Sequence, residues 1–388
     1  MPRRRAEMRG VVGLLIAWLL LVAGTAQAQD ARRKVVIDDE GFALMHLMLL
    51  ESPDVEVLGI TTVSGNVWAN RATALALRGV EAAGRTDVPV VQGATWPLLN
   101  SELLTDRWES LYGRLTWKGA WMKRWVEPTQ QSTPDYHGPD DPVVLPGGNP
   151  VTKPSPEIAA AFLIRMVRRY PGQVTILAAG PLTNLALAQR LDPQFAALAG
   201  ELVYMGGSLN PRQVLGDRSA RDFAREFVNS PRREFNARFD PEAASIVSRS
   251  PWRRITMVPV DPSTATQLGR GLLARLAAVA TPGVARLIDR LEPGFPLWDE
   301  IAAAVWLDPT IVTDRAKLYV DYDTQFGPGY GDTLSWRAGY QPGLGERPAE
   351  VVRAIDPERL EALMVRALGR RASVTRPDRA PVRSTPGN

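Results

Sequence analysis

Past residue 28, apolar runs with little polar alternation recur along the chain: Lys34 to Asp38, Val55 to Val63, Val174 to Ala178, Leu202 to Met205 and Ile255 to Val258. Short runs of Val, Ile and Leu predict strands buried on both faces, as in a parallel sheet covered by helices. Between them, Ala69 to Ala83, Pro156 to Tyr170 and Thr183 to Leu191 carry apolar residues at helical spacing. The alternation predicts a doubly wound α/β fold: a mostly parallel central sheet covered by helices, with a Rossmann-like core. Ligands of such folds sit beyond the carboxyl ends of the strands, so the residues after each strand carry the candidate chemistry.

Three segments break this rhythm. Residues 127–156 are dense in Pro and Gly and predict a long loop of the kind that is functional when ordered. Residues 370–388 are rich in Arg with little apolar content, which predicts a disordered basic tail. Residues 1–28 combine a basic start, an apolar run from Val11 to Gly24 and the small-residue pattern Ala26-Gln27-Ala28, the three parts of a secretory signal. The run is shorter than the ~20 residues of a spanning helix, so no stable membrane anchor is expected. One folded domain over 29–369 remains, in an exported protein, periplasmic or secreted.

Composition changes this picture in two places. The chain of 388 residues has no Cys, which excludes disulfides, zinc thiolates and a cysteine nucleophile. Its formal charge of +4 falls to +1 once the four arginines and single glutamate of residues 1–28 are removed, so no nucleic-acid footprint remains.

The strand ends supply acids and amides. Asp38, Asp39 and Glu40 follow the first strand, Ser64-Gly65-Asn66 the second, and Ala179-Gly180-Pro181-Leu182-Thr183-Asn184 the third, where Thr183 or Asn184 could cap the next helix. Met205-Gly206-Gly207, Glu234-Phe235-Asn236 and Trp298-Asp299-Glu300 come later. Two residues apart, Glu234 and Asn236 would share a face in an extended segment. Oxygen ligands gathered at one sheet edge suit a hard cation and the vicinal hydroxyls of a sugar.

The stretch VVIDDEGFALMHLMLLESPDVEVLGITTVSGN, followed in order by AAGPLTNLALA, VYMGGS, EFNARFDPEAA and WDEIAAAVWLDP, resembles the inosine-uridine-preferring nucleoside hydrolases over roughly residues 34 to 320. The resemblance implies a nucleoside hydrolase-like fold and an N-ribohydrolase that releases base and ribose. It also implies a calcium ion held by Asp38, Glu40, the Ala179 carbonyl and Asp299, with Glu40 or Asp39 as the base that activates water. Asn66, His137, Glu234, Asn236 and Asp299 would contact the substrate, a nucleoside or ribose-like small molecule. Homo-oligomers are common among relatives, although no interface pattern stands out. Two departures matter. The acidic loop of the family, D-x-D-P-G-x-D-D, is about three residues shorter here, and its two closing acids have no counterpart before Ala43, which implies weaker calcium binding. Trp298 stands where many relatives have a histidine proposed to protonate the leaving base, and an indole cannot act as that acid. The shortened loop leaves an alternative open, a catalytically reduced relative that binds a nucleoside, a sugar or an envelope partner.

Trp117, Trp121 and Trp125 recur at i, i+4 and i+8, so a helix there would present an aromatic stripe for core packing or for stacking on a base. His46 lies in an apolar helical run and reads as a packing histidine. Intact-mass measurement on exported protein should give a chain beginning near Gln29; retention of Met1 would overturn the signal assignment.

Overall fold

The computed structural model describes residues 32–126 and 132–374. The signal-like segment 1–28, its cleavage point before Gln29 and the chain from 375 onward lie outside the described residues. The last helix runs to Val374, past the expected start of the tail at 370.

All five predicted strands form, with ends shifted by at most a residue, and four more join them. In chain order they are β1 (Arg33–Asp39), β2 (Val55–Thr62), β3 (Val90–Gln92), β4 (Val174–Ala178), β5 (Glu201–Met205), β6 (Ile255–Val258), β7 (Val312–Tyr322), β8 (Thr333–Trp336) and β9 (Arg347–Ile355). They make one sheet in the order β3-β2-β1-β4-β5-β6-β9-β7-β8. Pairing is parallel from β3 through to β9, and only β7 runs antiparallel to its neighbours. β7 carries polar residues and is partly exposed over most of its length, so a search for apolar runs passes over it.

The helices are α1 (Leu44–Leu50), α2 (Ala69–Ala82), α3 (Glu102–Tyr112), α4 (Ala159–Arg169), α5 (Thr183–Leu191), α6 (Phe195–Leu198), α7 (Arg218–Asn229), α8 (Phe235–Phe239), α9 (Pro241–Arg249), α10 (Arg270–Val279), α11 (Pro282–Ile288), α12 (Asp299–Leu307) and α13 (Pro357–Val374). Strand alternation divides the core in two. Val35, Ile37, Leu177 and Val203 face α1, α10, α12 and α13, while Val36, Ile176 and Leu202 face α4, α5 and α9. Among the described residues no helix is long and apolar enough to cross a membrane.

From β1 the chain winds outward through β2 and β3 on one side, and from β4 through β5 and β6 on the other. β1 and β4 therefore flank the topological switch point, where a crevice opens beyond the strand ends.

The tryptophan stripe is not helical. α3 stops at Gly113, which has φ +114, and only a 3₁₀ turn over Gly119–Trp121 follows. Gly119 has φ +58, and a Cβ there would collide with the Gly65 carbonyl and the Phe235 ring, so the segment is pressed against the β2 turn rather than coiled. Trp121 is buried and stacks on Phe239 with ring centres 4.2 Å apart, whereas Trp117 and Trp125 stack on each other at 5.2 Å. Trp121→Ala should destabilise the fold by about 3–5 kcal/mol, to be read as a lowered midpoint in denaturant at unchanged slope.

Candidate active site

The strand ends converge on one cavity of about 450 Å³ at the switch point. Glu40, Asn66, His137, Ala179, Glu234, Asn236 and Asp299 line it. Asp38 and Asp39 are buried behind it at the end of β1.

Asp38 ends in a polar cradle. Its Oδ1 accepts from Thr61 Oγ1 at 2.5 Å and Asn184 Nδ2 at 2.8 Å, while Oδ2 is buried without a hydrogen-bond partner. Neither Thr183 nor Asn184 caps α5, whose N-cap is Leu182. Thr183 donates instead to Asp240 at 2.6 Å, and Asn184 spans Asp38 and the Thr62 carbonyl. Asp39 points to the other face, where its Oδ1 accepts from the Glu40 N–H at 2.7 Å and its Oδ2 lies 3.5 Å from His46 Nε2. His46 is a buried packing residue, stacked on Phe42, whose Nδ1 accepts the Ala43 N–H. Burial lowers its pKa to about 3, so the ring is neutral and the contact with Asp39 is not an ion pair.

Glu40 is held by the turn after β2. The Asn66 N–H donates to Oε2 at 2.7 Å and Asn66 Nδ2 to Oε1 at 2.6 Å. Gly65 makes this approach possible, because a Cβ there would overlap Glu40 Oε2. On the Oδ1 side Asn66 accepts from Trp117 Nε1 at 2.5 Å.

Glu234 and Asn236 do not lie on an extended segment. Glu234 is the N-cap of α8, where its carboxylate accepts from the N–H groups of Asn236, Ala237 and Gly207 at 2.8, 3.0 and 2.9 Å. This is ordinary helix capping applied to a cavity-lining acid. Arg232, just before it, has φ +88 despite its side chain, a local strain held beside the site. Asn236 Nδ2 donates to the Ala179 carbonyl at 2.9 Å and to the Met205 carbonyl at 3.3 Å, so the backbone oxygen expected to serve a cation already accepts a hydrogen bond.

Asp299 opens α12 and reaches the cavity, whereas Glu300, next to it, is buried and does not line it. Burial raises the pKa of Asp38, Asp39 and Glu234 to about 7, and of Glu40 and Asp299 well above the usual carboxylate range. Repulsion adds to burial at Asp299, from Asp39, Glu300, Glu40 and Glu234.

The wall opposite these acids is aromatic, built from Trp117, Trp125, Phe223, Phe235, Phe295 and Trp298. Phe223 comes from α7, which sequence reasoning missed, although its Phe223 and Phe227 stand four apart as a cavity-facing helix requires. The Pro-rich loop contributes His137, with Nδ1 2.8 Å from the Asp135 carbonyl and Nε2 unpartnered. Trp68 Nε1 and Asn70 Nδ2 hold that loop through the carbonyls of His137 and Pro139.

The family of inosine-uridine preferring nucleoside hydrolases matches residues 35–362. This chain belongs to that family. Uridine nucleosidase 1 of Arabidopsis thaliana is 35% identical over 348 residues, covering 84% of this chain and 90% of the relative. A pyrimidine-specific ribonucleoside hydrolase of Escherichia coli is 24% identical over 323 residues, covering 78% and 87%. A solved plant nucleoside hydrolase superposes with a TM-score of 0.63 at 24% identity, covering 87% of this chain and 99% of its own, which establishes the nucleoside hydrolase fold.

The donors are all oxygens, and the orphaned Asp38 Oδ2 with its mutually repelling neighbours is the chemistry of a hard-cation site. Among the described residues, however, no three His, Asp or Glu side chains are arranged to hold a metal ion. Asp38 Oδ1, Glu40 and the Ala179 carbonyl are each committed to a protein donor, so ligation would compete with bonds already made.

Carboxylates with raised pKa values are most stable in the fold while protonated, so their contribution is complete below about pH 4 and is lost as pH rises through about 7. The melting temperature of chelator-treated protein should therefore fall between about pH 5 and about pH 8, as the acids ionise on passing through about 7. A rise over this interval would show that the acids are compensated.

Proposed function

We propose that this nucleoside hydrolase is an exported N-ribohydrolase that cleaves the bond between ribose and a nucleobase. The observation that carries it is the meeting of Glu40, Asn66, Glu234, Asn236 and Asp299 with an aromatic wall in one cavity at the sheet's switch point. A planar base fits against Trp117 and Trp125, and ribose hydroxyls suit the acids and amides below. The uridine nucleosidase relative favours a pyrimidine nucleoside among the substrates.

Water attacks the anomeric carbon as the C–N bond breaks, through an oxocarbenium-like transition state. Glu40, lining the cavity, takes the water's proton; Asp39, behind it, hydrogen-bonds the Glu40 backbone and is the alternative base. Glu234 and Asn236 bind hydroxyls, and Asp299 stabilises the developing positive charge on the sugar. The electron pair of the broken bond leaves with the base. Trp298 cannot supply that base with a proton; of the two histidines, His137 lines the cavity, its Nε2 buried and without a hydrogen-bond partner. A bound calcium ion would neutralise the acids and lower the pKa of a bound water, and Asp38, Glu40, the Ala179 carbonyl and Asp299 would hold it.

The test is release of ribose from uridine and inosine, with and without added calcium. Asp299→Asn should lower turnover at least about 100-fold, with a melting temperature unchanged or raised, because a buried repelling charge is removed. Unchanged turnover with unchanged melting would remove Asp299 from the reaction.

A further inference from the structure

Trp117 joins two parts of the site that are usually separate, the wall for the base and the carboxylate that handles water. Its ring lines the cavity and stacks on Trp125 at 5.2 Å, with Phe235 at 6.5 Å. Its Nε1 donates to Asn66 Oδ1 at 2.5 Å, and the other end of the same amide donates to Glu40 at 2.6 Å. The chemistry fixes the direction of this chain. An indole N–H only donates and an ionised carboxylate only accepts, so the group between them must both accept and donate, which the Asn66 amide does with its oxygen toward Trp117 and its nitrogen toward Glu40.

The backbone ties the same two parts together. Ala120 N–H donates to the Gly65 carbonyl at 2.9 Å, and Trp117 N–H donates to Glu226 on α7 at 3.1 Å. Trp121, four residues on, is buried under Phe239. The aromatic segment is therefore anchored at Trp117 itself and at residues 120 and 121 after it, and the indole has little freedom to turn without releasing Asn66.

We propose that Trp117 is a positioning residue, which orients Glu40 through Asn66 while its ring stacks on the substrate's base. The proposal rests on the ribohydrolase reading and adds to it a residue that contributes to catalysis through another. It also ties the substrate to a flat ring, since a base lying on Trp117 restrains the indole that aims the amide. A leaving group without a ring would fill the cavity without that restraint.

The test is a double-mutant cycle on uridine and inosine turnover, with melting temperature recorded for every variant. Trp117→Phe keeps a ring and removes the N–H, and Asn66→Ala removes the link. Trp117→Phe should lower kcat by roughly ten- to a hundred-fold, with KM within about twofold of the native value. In the Asn66→Ala background the same substitution should cost no more than about twofold further. Losses that simply add, or a loss confined to KM, would overturn the proposal and leave Trp117 as a stacking wall. A readout independent of turnover uses nitrogen-15 spectra, in which the Trp117 indole resonance is the one missing from Trp117→Phe. That resonance should shift in Asn66→Ala, and one that stays in place sinks the link. If the native protein cleaves neither nucleoside, the ribohydrolase reading fails; the indole resonance then still decides the link by itself.

Discussion

Crowded negative charge at the end of β1 is the constraint on which the site depends. Asp38, Asp39, Glu40, Glu234, Asp299 and Glu300 are all pushed toward the protonated state by burial, and at Asp39, Glu40 and Asp299 the neighbouring acids push further. A fold bears such a cluster at lower cost where its carboxylates find donors. The donors are largely backbone and amide groups: Asn66 and its N–H for Glu40, three N–H groups for Glu234, Thr61 and Asn184 for Asp38. These groups cannot be supplied by one strand. They require the turn after β2, the helix after β4 and the start of α8 to meet, which the switch point of a doubly wound sheet brings about.

The same requirement explains why small and aromatic residues stand together around Glu40. Gly65 leaves room for the carboxylate, Gly119 lets the following segment press on the Gly65 carbonyl, and the tryptophans close the space above. Excluding water in this way strengthens the hydrogen bonds and the repulsion alike. Stability is given up for a set of charges held in place before substrate arrives, a common feature of preorganised sites.

Much of this was legible in the sequence, for reasons that differ by element. The buried strands β1, β2, β4, β5 and β6 announce themselves as uniform apolar runs because both of their faces are covered. β7 does not, since its residues are partly exposed and polar. Asn66, Glu234, Asn236 and Asp299 could be named from motif order, and the fold brings them to one cavity. Their conformations could not: Glu234 caps a helix because the three N–H groups it meets come from residues 207, 236 and 237, a meeting that spacing alone does not reveal. Nor does a spacing of four between tryptophans make a helix, when Gly113 ends the helix before them and Gly119, at positive φ, interrupts the run.

The link between the acids and the first helix is short. α1 begins at Leu44, almost directly after Glu40, so its first N–H groups fall inside the protein near the acids. Buried N–H groups at a helix start need acceptors. His46 Nδ1 takes the Ala43 N–H. Protonating His46 would strip the start of α1 of that acceptor. Glu300 follows Asp299 directly and is buried, yet it does not line the cavity. Helix periodicity separates the two: successive residues at the start of α12 point about 100° apart, which leaves Asp299 at the cavity and turns Glu300 into the protein.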